Sequence, residues 1–598
     1  MEATRTFGGT HSVPISTMGS SALSDEKRQE GLEALRSGIA TSYFTTAYEG
    51  KRAIVYADWT ASARSVRQIE EYIQEEVNPL YGNTHTTTSI TGHQSTCFRA
   101  ESRQIIAQAV NAKVTGKAAE DVVLFSGNGT TSSIDKLVQG MGLNLPVPEG
   151  YDAEIYRPVV FTSSYEHHSN LLPWRESCAE VVTIAYSSDT GVDLADLAAQ
   201  LKKYKHRAVK IGAMCAASNV TGIMTAVEAV CILLHEAGAL AFFDYATAAP
   251  YVKMDMNPVS CGGSVGTDKS GLSLSSWDSK YAYKDAIYFS GHKFLGGVGS
   301  PGVLVVKRAV LPAVGTLPGT SGGGTVFYVT EDHHRYLLNR EEREEGGTPN
   351  IVGDIKIGLA VNLKQSFGDS WVEAEELRVA EVATCRLQAH ANILLLGKEG
   401  KARKLPIFSL LVRCGQRVLH HNFVCALLND LFGVQARGGC QCAGPFSQLL
   451  LGMSDAVNTE IERALLEKHE ILRPGYTRFS LPFWLSELEL EHILMAVEFV
   501  ASHGVHFLPY YRYNHKTGEW AHSTRLTKFP ERKWLSKFEL VGPALKQEAS
   551  CFEPGRLDEV LKETREAAER ELAATKKLFA GKKGTKSKEV AVEGLGKW

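Results

Sequence analysis

Long apolar runs are scarce in this sequence. Read along the chain, none approaches the roughly 20 residues that a helix needs to cross a bilayer, so no membrane partner is expected. An excess of one charge sign is missing too. The 64 Lys and Arg stand against 67 Asp and Glu, a formal net charge of −3. That balance argues against the basic footprint of a nucleic-acid binder. Cysteine is present but unpatterned. Eleven cysteines without regular spacing, odd in number and following no secretory signal, read as reduced thiols and not as a disulfide framework. The first 25 residues are polar and hold one basic residue, Arg5. They lack the apolar core of a secretory signal and the arginines of a mitochondrial presequence. A cytoplasmic location is therefore expected, with organellar import left open. No Gly-x-Gly-x-x-Gly opens the first strand–helix unit, which disfavours a nicotinamide dehydrogenase, and no Lys follows its glycines as in a Walker loop.

What is present fits a globular protein of two or three domains: 598 residues, 44% hydrophobic and 22% charged. Seven short apolar runs read as buried strands: Val122–Phe125, Val159–Thr162, Val181–Ala185, Val209–Met214, Ala239–Phe243, Ala286–Phe289 and Gly302–Val306. Helix-length segments lie between several of them. One carries Val227, Val230, Cys231, Leu234 and Ala237 at three- and four-residue spacing. This βαβ series predicts an α/β fold with a mostly parallel seven-stranded sheet. The expected organisation is a disordered tail over 1–26 and a large domain over 27–367, with a Gly- and Ser-rich insertion at 259–284. A small α+β domain over 368–506 and an appendage over 507–580 follow, then a disordered basic tail over 581–598.

Several strand ends carry reactive groups. After Val122–Phe125 comes Ser126-Gly127-Asn128-Gly129-Thr130-Thr131, a Gly-rich turn opening a helix, which suits a phosphate or is an ordinary strand-to-helix turn. Glu166-His167-His168-Ser169-Asn170 follows the second strand, and the His pair has no third metal ligand at a fixed offset. Ala217-Ser218-Asn219 ends the fourth and Asp244 the fifth, at the edge where parallel sheets bind ligands. Then comes Ser290-Gly291-His292-Lys293-Phe294-Leu295-Gly296-Gly297, with a lysine among glycines. Alone, that run reads as a loop with a solvated lysine. Taken in order, the strand ends offer a phosphate cradle, an imidazole, an amide, a carboxylate and an amine. Pyridoxal phosphate requires such a set: a helix N-terminus for its phosphate, a lysine for its aldehyde and an acid for its ring nitrogen.

Here the sequence resembles the class V aminotransferase-fold pyridoxal-phosphate enzymes, of fold type I, and most closely their cysteine desulfurase and selenocysteine lyase branch. The likeness spans about residues 50 to 500. It rests on Gly129-Thr130-Thr131, on Glu166 through Trp174, on Ser218-Asn219-Val220-Thr221-Gly222, on Asp244, on Ser290 through Lys293 and on Glu345-Gly346-Gly347-Thr348-Pro349-Asn350. The resemblance implies pyridoxal 5′-phosphate as cofactor, with Lys293 forming the imine, Asp244 on the ring nitrogen and His167 stacked on the ring. It implies Gly129, Thr130, Thr131, Ser290 and His292 around the phosphate, and Asn219 and Thr247 beside the ring oxygen. Asp58 through Ser62, with Ala61, and Asn83 resemble the segment lining the substrate entrance. Gly347-Thr348 would reach the partner site of a homodimer.

In the small domain, Ala436 through Pro445 resembles the loop that bears the desulfurase nucleophile, with Cys442 in its place. Cys440 and Cys442 alone also read as inert thiols, or less readily as a metal pair; no metal is expected. Arg478 matches the family arginine that grips a substrate carboxylate, with Arg437 assisting. The chain departs from the family pattern at Thr247, Ser132 and Gly439-Cys440. The reading is a desulfurase turning cysteine into alanine plus an enzyme persulfide, with a sulfur-acceptor protein as a further partner. Its rivals are a selenocysteine lyase, an aminotransferase, an epimerase and a catalytically silent scaffold.

Overall fold

A computed structural model describes residues 24–86, 88–116, 119–147, 149–258, 279–312, 318–397, 399–525, 532–537 and 557–581. The expected tails therefore fall almost wholly outside the described residues, as does 259–278 of the expected insertion.

The seven apolar runs form one sheet: β1 (Asp121–Ser126), β2 (Val159–Ser163), β3 (Glu180–Ile184), β4 (Lys210–Cys215), β5 (Leu240–Asp244), β6 (Ala286–Ser290) and β7 (Gly302–Lys307). Their spatial order is β1-β7-β6-β5-β4-β2-β3, and only β7 runs against its neighbours. Both faces are covered, which explains why the strands read as continuous apolar runs. Val122, Leu124, Ile211, Ala213 and Phe242 enter the core on one face, while Val123, Phe125, Met214, Ala241 and Phe243 enter the core on the other. The helix Val227–Glu236 buries Val230, Cys231 and Leu234, the middle of its expected stripe.

A second core lies in the C-terminal half. Strands Ile393–Leu395, Ile407–Cys414, Tyr476–Ser480 and Arg437–Gly439 form an antiparallel path, with Arg417–Leu419 added to Ile407–Cys414. Helices Asp369–Ala389, His421–Phe432 and Glu487–His503 pack on it. Glu487–Tyr510 corrects one expectation. It is 24 residues long and contains an 18-residue window with a mean hydropathy of 1.2, enough by length and composition for a membrane span. Its apolar side chains instead fill the second core, with Leu490, Ile493, Leu494, Val497 and Val500 buried. Acidic Glu487, Glu489, Glu491 and Glu498 had broken the run to the eye, and the capping box of Ser486 and Glu489 starts a helix suited to water.

The segment just before Asp58, expected with the large domain, also joins the second core. Val55–Tyr56 pairs in parallel with Val434–Gln435, and Tyr48, Val55 and Ala57 are buried among the small domain's residues. Backbone pairing across some 380 positions leaves no mark in local sequence. After Phe507, a hairpin of Tyr511–Tyr513 and Trp520–His522 covers the helix His421–Phe432, with the Tyr511 hydroxyl donating to Asp430 at 2.7 Å. The helix Leu557–Gly581 completes this core through Leu561, Ala568 and Leu572. Leu561 is 1% exposed. Leu561→Ala is expected to cost about 2–5 kcal/mol of stability, read as a lowered denaturation midpoint of the small-domain transition. An unchanged midpoint would show that this helix does not belong to the core.

Candidate active site

The carboxyl ends of the parallel strands meet over one cavity of about 830 Å³, its open mouth included. At one end, β1 turns through Gly127 to Gly129 into the helix Thr130–Gly140. Gly129 has φ +66° and ψ −153°, a region open in practice only to glycine, and a Cβ there would sit 2.6 Å from Ser290 Oγ. That close approach lets Ser290 Oγ, at the end of β6, accept from the Thr130 amide at 3.0 Å and bond its hydroxyl at 2.9 Å. Thr131 Oγ1 donates to Ser169 Oγ at 2.8 Å. A helix N-terminus with two threonine hydroxyls is a ready anion site.

Midway, Asp244 ends β5, and Lys293 closes a short turn after β6; both line the cavity. Burial lifts the Asp244 carboxyl to about 6, opposed by the Ala246 amide, which donates to Oδ1 at 2.7 Å, and by Lys293. Burial also lowers the Lys293 amine to about 8, with Asp244 pulling the other way. Desolvation drives each group toward its uncharged form, and the opposite charge of the other holds it part-way back. His167 lines the same wall. Its Nδ1 accepts from the Ser169 amide at 3.1 Å, and burial, then the Lys293 charge, lowers it to about 3. It is a neutral ring with its proton on Nε2. His292, lowered to about 4 by burial, meets Ser62 Oγ through Nδ1 at 3.3 Å.

The small domain closes the other end. The antiparallel register sets Arg437 opposite Arg478. Arg478 is buried, donates to Asp58 at 2.7 Å and to the Asn219 carbonyl at 3.0 Å, and keeps a buried Nε without a protein partner. Asn219 donates to the Gln441 carbonyl at 2.8 Å, while its Oδ1 is buried and unpartnered. Cys442 is exposed at the cavity and sits inside a reverse turn in which Ala443 N–H donates to the Cys440 carbonyl at 3.1 Å. Gln441 and Cys442, at φ +58° and +57°, both hold left-handed backbone. His168 pins this loop from the large domain. Its amide donates to the Cys442 carbonyl at 2.8 Å, and its Nε2 accepts from Gly444 N–H at 3.0 Å.

Of the residues singled out from sequence, Ala61, Thr130, Thr131, His167, Asn219, Asp244, Thr247, Ser290, His292, Lys293, Arg437, Cys442 and Arg478 all line this cavity. Gly129 shapes it from behind. Asn83, Gly347 and Thr348 are exposed and lie outside its lining. No third His, Cys, Asp or Glu joins Cys440 and Cys442 in a metal-holding cluster among the described residues. Sequence reading assigned no role to His168 or Glu166. The His pair pointed to the first, though toward a metal; the second stood in the motif that carries the family resemblance, with no role attached.

A phosphate cradle, a strand-end carboxylate and a desolvated lysine around one cavity define a site for a phosphorylated aldehyde cofactor. The chain belongs to the class-V aminotransferase family, whose sequence model matches residues 55–263 and 275–481. Its cofactor is pyridoxal 5′-phosphate. The residues present fit that group: the helix N-terminus at Thr130 and Thr131 lines the cavity and suits the phosphate, and the orphaned Asn219 Oδ1 and Arg478 Nε offer polar contacts for ring and substrate. The chain is 26% identical over 396 residues to a protein of Enterobacter sp. (strain 638) named cysteine desulfurase, covering 66% of this chain and 85% of that one. Cysteine desulfurase from Thermococcus onnurineus NA1 shares the fold, with a TM-score of 0.58 and 23% identity over 75% of this chain and 95% of that one. So does the Escherichia coli cysteine desulfurase CsdA, with a TM-score of 0.54 and 21% identity over 75% and 94%.

The lysine's depressed basicity sets the pH dependence of cofactor uptake. Only the neutral amine attacks an aldehyde. Uptake by the apo-protein is expected to quicken about tenfold per pH unit and to level off near 8. Stopped-flow absorbance measures it. A rate still climbing toward the ordinary lysine value of about 10.4 would contradict a buried Lys293.

Proposed function

We propose that this protein is a cysteine desulfurase: it converts L-cysteine to L-alanine and leaves the sulfur as a persulfide on Cys442. The observation that carries this reading is that Cys442 and Lys293, from different domains, line the same cavity as Arg478. When bound, pyridoxal phosphate supplies an electron sink for bonds at the substrate's α and β carbons. The chain's own residues do the rest. Arg478, neutralised only in part by Asp58, grips the substrate carboxylate, with Arg437 beside it. Asp244 holds the proton of the ring nitrogen, and neutral His167 covers the ring without adding charge. Lys293, whose basicity burial lowers to about 8, would take the Cα proton.

Cys442 then attacks the substrate sulfur as thiolate. The Sγ–S bond forms, the Cβ–S bond breaks with its electron pair left on carbon, Cβ gains a proton, and the proton taken by Lys293 is returned to Cα, giving alanine. The turn pinned by His168 holds the thiol at the cavity mouth, where a second protein can collect the sulfur. The relatives named above support the reaction, and the exposed Gly347-Thr348 loop supports a homodimer in which each copy reaches the other's site.

Holoprotein incubated with L-cysteine is expected to yield alanine and one added sulfur atom on the peptide bearing Cys442. Cys442→Ser is expected to keep bound cofactor and lose sulfide release by about 10²-fold or more. Undiminished sulfide from this variant would move the reading to a lyase, aminotransferase or epimerase.

A further inference from the structure

Beneath the cavity lies an acid with no cation. Glu166 is 2% exposed and makes no ion pair among the described residues. Four donors converge on its carboxyl group. Oε1 receives the Ser163 amide at 3.3 Å, the Ser163 hydroxyl at 2.5 Å and the Cys215 amide at 2.9 Å. Oε2 receives Asn170 Nδ2 at 2.6 Å. The orientation of that amide is fixed from behind, because its Oδ1 accepts from the Tyr288 hydroxyl at 2.7 Å and from Trp174 Nε1 at 3.4 Å. An acid protonated in this pocket would face donors on both oxygens. The arrangement suits the anion, although burial pulls the group up to about 7.

We propose that Glu166 is a positioning residue for the cofactor, acting as a negative charge beside Asp244 and as the anchor of His167. Its partners span the sheet: Ser163 on β2, Cys215 on β4 and, through Asn170, Tyr288 on β6. Cys215 and Tyr288 are the two register neighbours of Asp244. One carboxylate therefore ties together the strands on either side of the ring-nitrogen acid. The following residue is His167, so the same anchor sets the imidazole plane. The titratable groups around it are Tyr165, Cys215, Asp244 and Tyr288, with His167 next in the chain; none is a cation at neutral pH. An uncompensated anion beside Asp244 strengthens the negative field that keeps a bound pyridine ring and its lysine linkage protonated. The inference rests on the cofactor and holds whichever amino acid is the substrate.

The test is a pH titration of the visible absorbance of the holoprotein, alongside thermal denaturation and cofactor affinity. Glu166→Gln keeps the shape and removes the charge. It is expected to move the absorbance midpoint to lower pH by about one unit, from a unit charge acting over roughly 10 Å at an effective dielectric near 20. Glu166→Asp, which keeps the charge, is expected to restore the wild-type midpoint at least in part. A folded Glu166→Gln holoprotein with an unchanged midpoint would reduce Glu166 to a packing role and overturn the proposal. Should Glu166→Gln not fold, Ser163→Ala serves instead. It removes one donor, raises the Glu166 carboxyl further so that less of it is ionised, and is expected to shift the midpoint the same way; no shift there would equally overturn it. Loss of sulfur chemistry with the midpoint shift intact would count against the desulfurase reading and not against this one.

Discussion

Two desolvated groups of opposite charge, Asp244 and Lys293, govern this site. Burial alone would drive both toward neutrality: the carboxyl up, the amine down. Each holds the other part-way back. The balance leaves an amine that loses its proton near pH 8 instead of near 10 and an acid able to share a proton with a ring nitrogen. The sheet produces this directly. β5 and β6 run in parallel, with Asp244 opposite Tyr288, so the acid and the lysine turn emerge at the same edge. Gly129, Gly291 and Gly302 let the neighbouring loops crowd that edge: a Cβ at Gly302 would stand 2.2 Å from the Gly129 carbonyl oxygen, and one at Gly291 2.7 Å from that of Pro301.

Around that pair the cavity is built by two cores. The large core supplies the phosphate cradle, the ring acid and the lysine. The second sheet supplies Arg478 and leads into the cysteine turn, whose Ala443 is itself buried in the large core. They are joined at the chain's beginning. Ala57 belongs to the second core and accepts from Ser480 N–H at 2.8 Å, while Asp58, the next residue, pairs with Arg478. His168 makes the opposite tie, from the large domain to the cysteine loop. Substrate grip and nucleophile are thus positioned by bonds that cross between cores, which makes the site sensitive to the stability of both.

The sheet was legible because its strands are buried on both faces. Such strands are continuous apolar runs, and each of the seven expected runs ends within one residue of the observed strand. Most of the cavity lining was legible too, since strand-end residues of a parallel sheet gather at one edge. What escaped was non-local. The pairing of Val55–Tyr56 with Val434–Gln435, the ion pair of Asp58 with Arg478 and the grip of His168 on the cysteine turn depend on chain segments hundreds of residues apart. Glu166 looked like any acid beside a histidine, because its significance lies in four donors supplied by three other residues. Glu487–Tyr510 shows the reverse: a run whose acidic residues hid its apolar content, one face of which the core uses.

The most direct test of the account is to reduce the holoprotein with borohydride, digest it and map the covalently trapped cofactor by mass spectrometry. The account predicts a single reduced adduct on Lys293, and its absence when Asp244→Ala abolishes cofactor binding. An adduct on another lysine, with Lys293 unmodified, would contradict it.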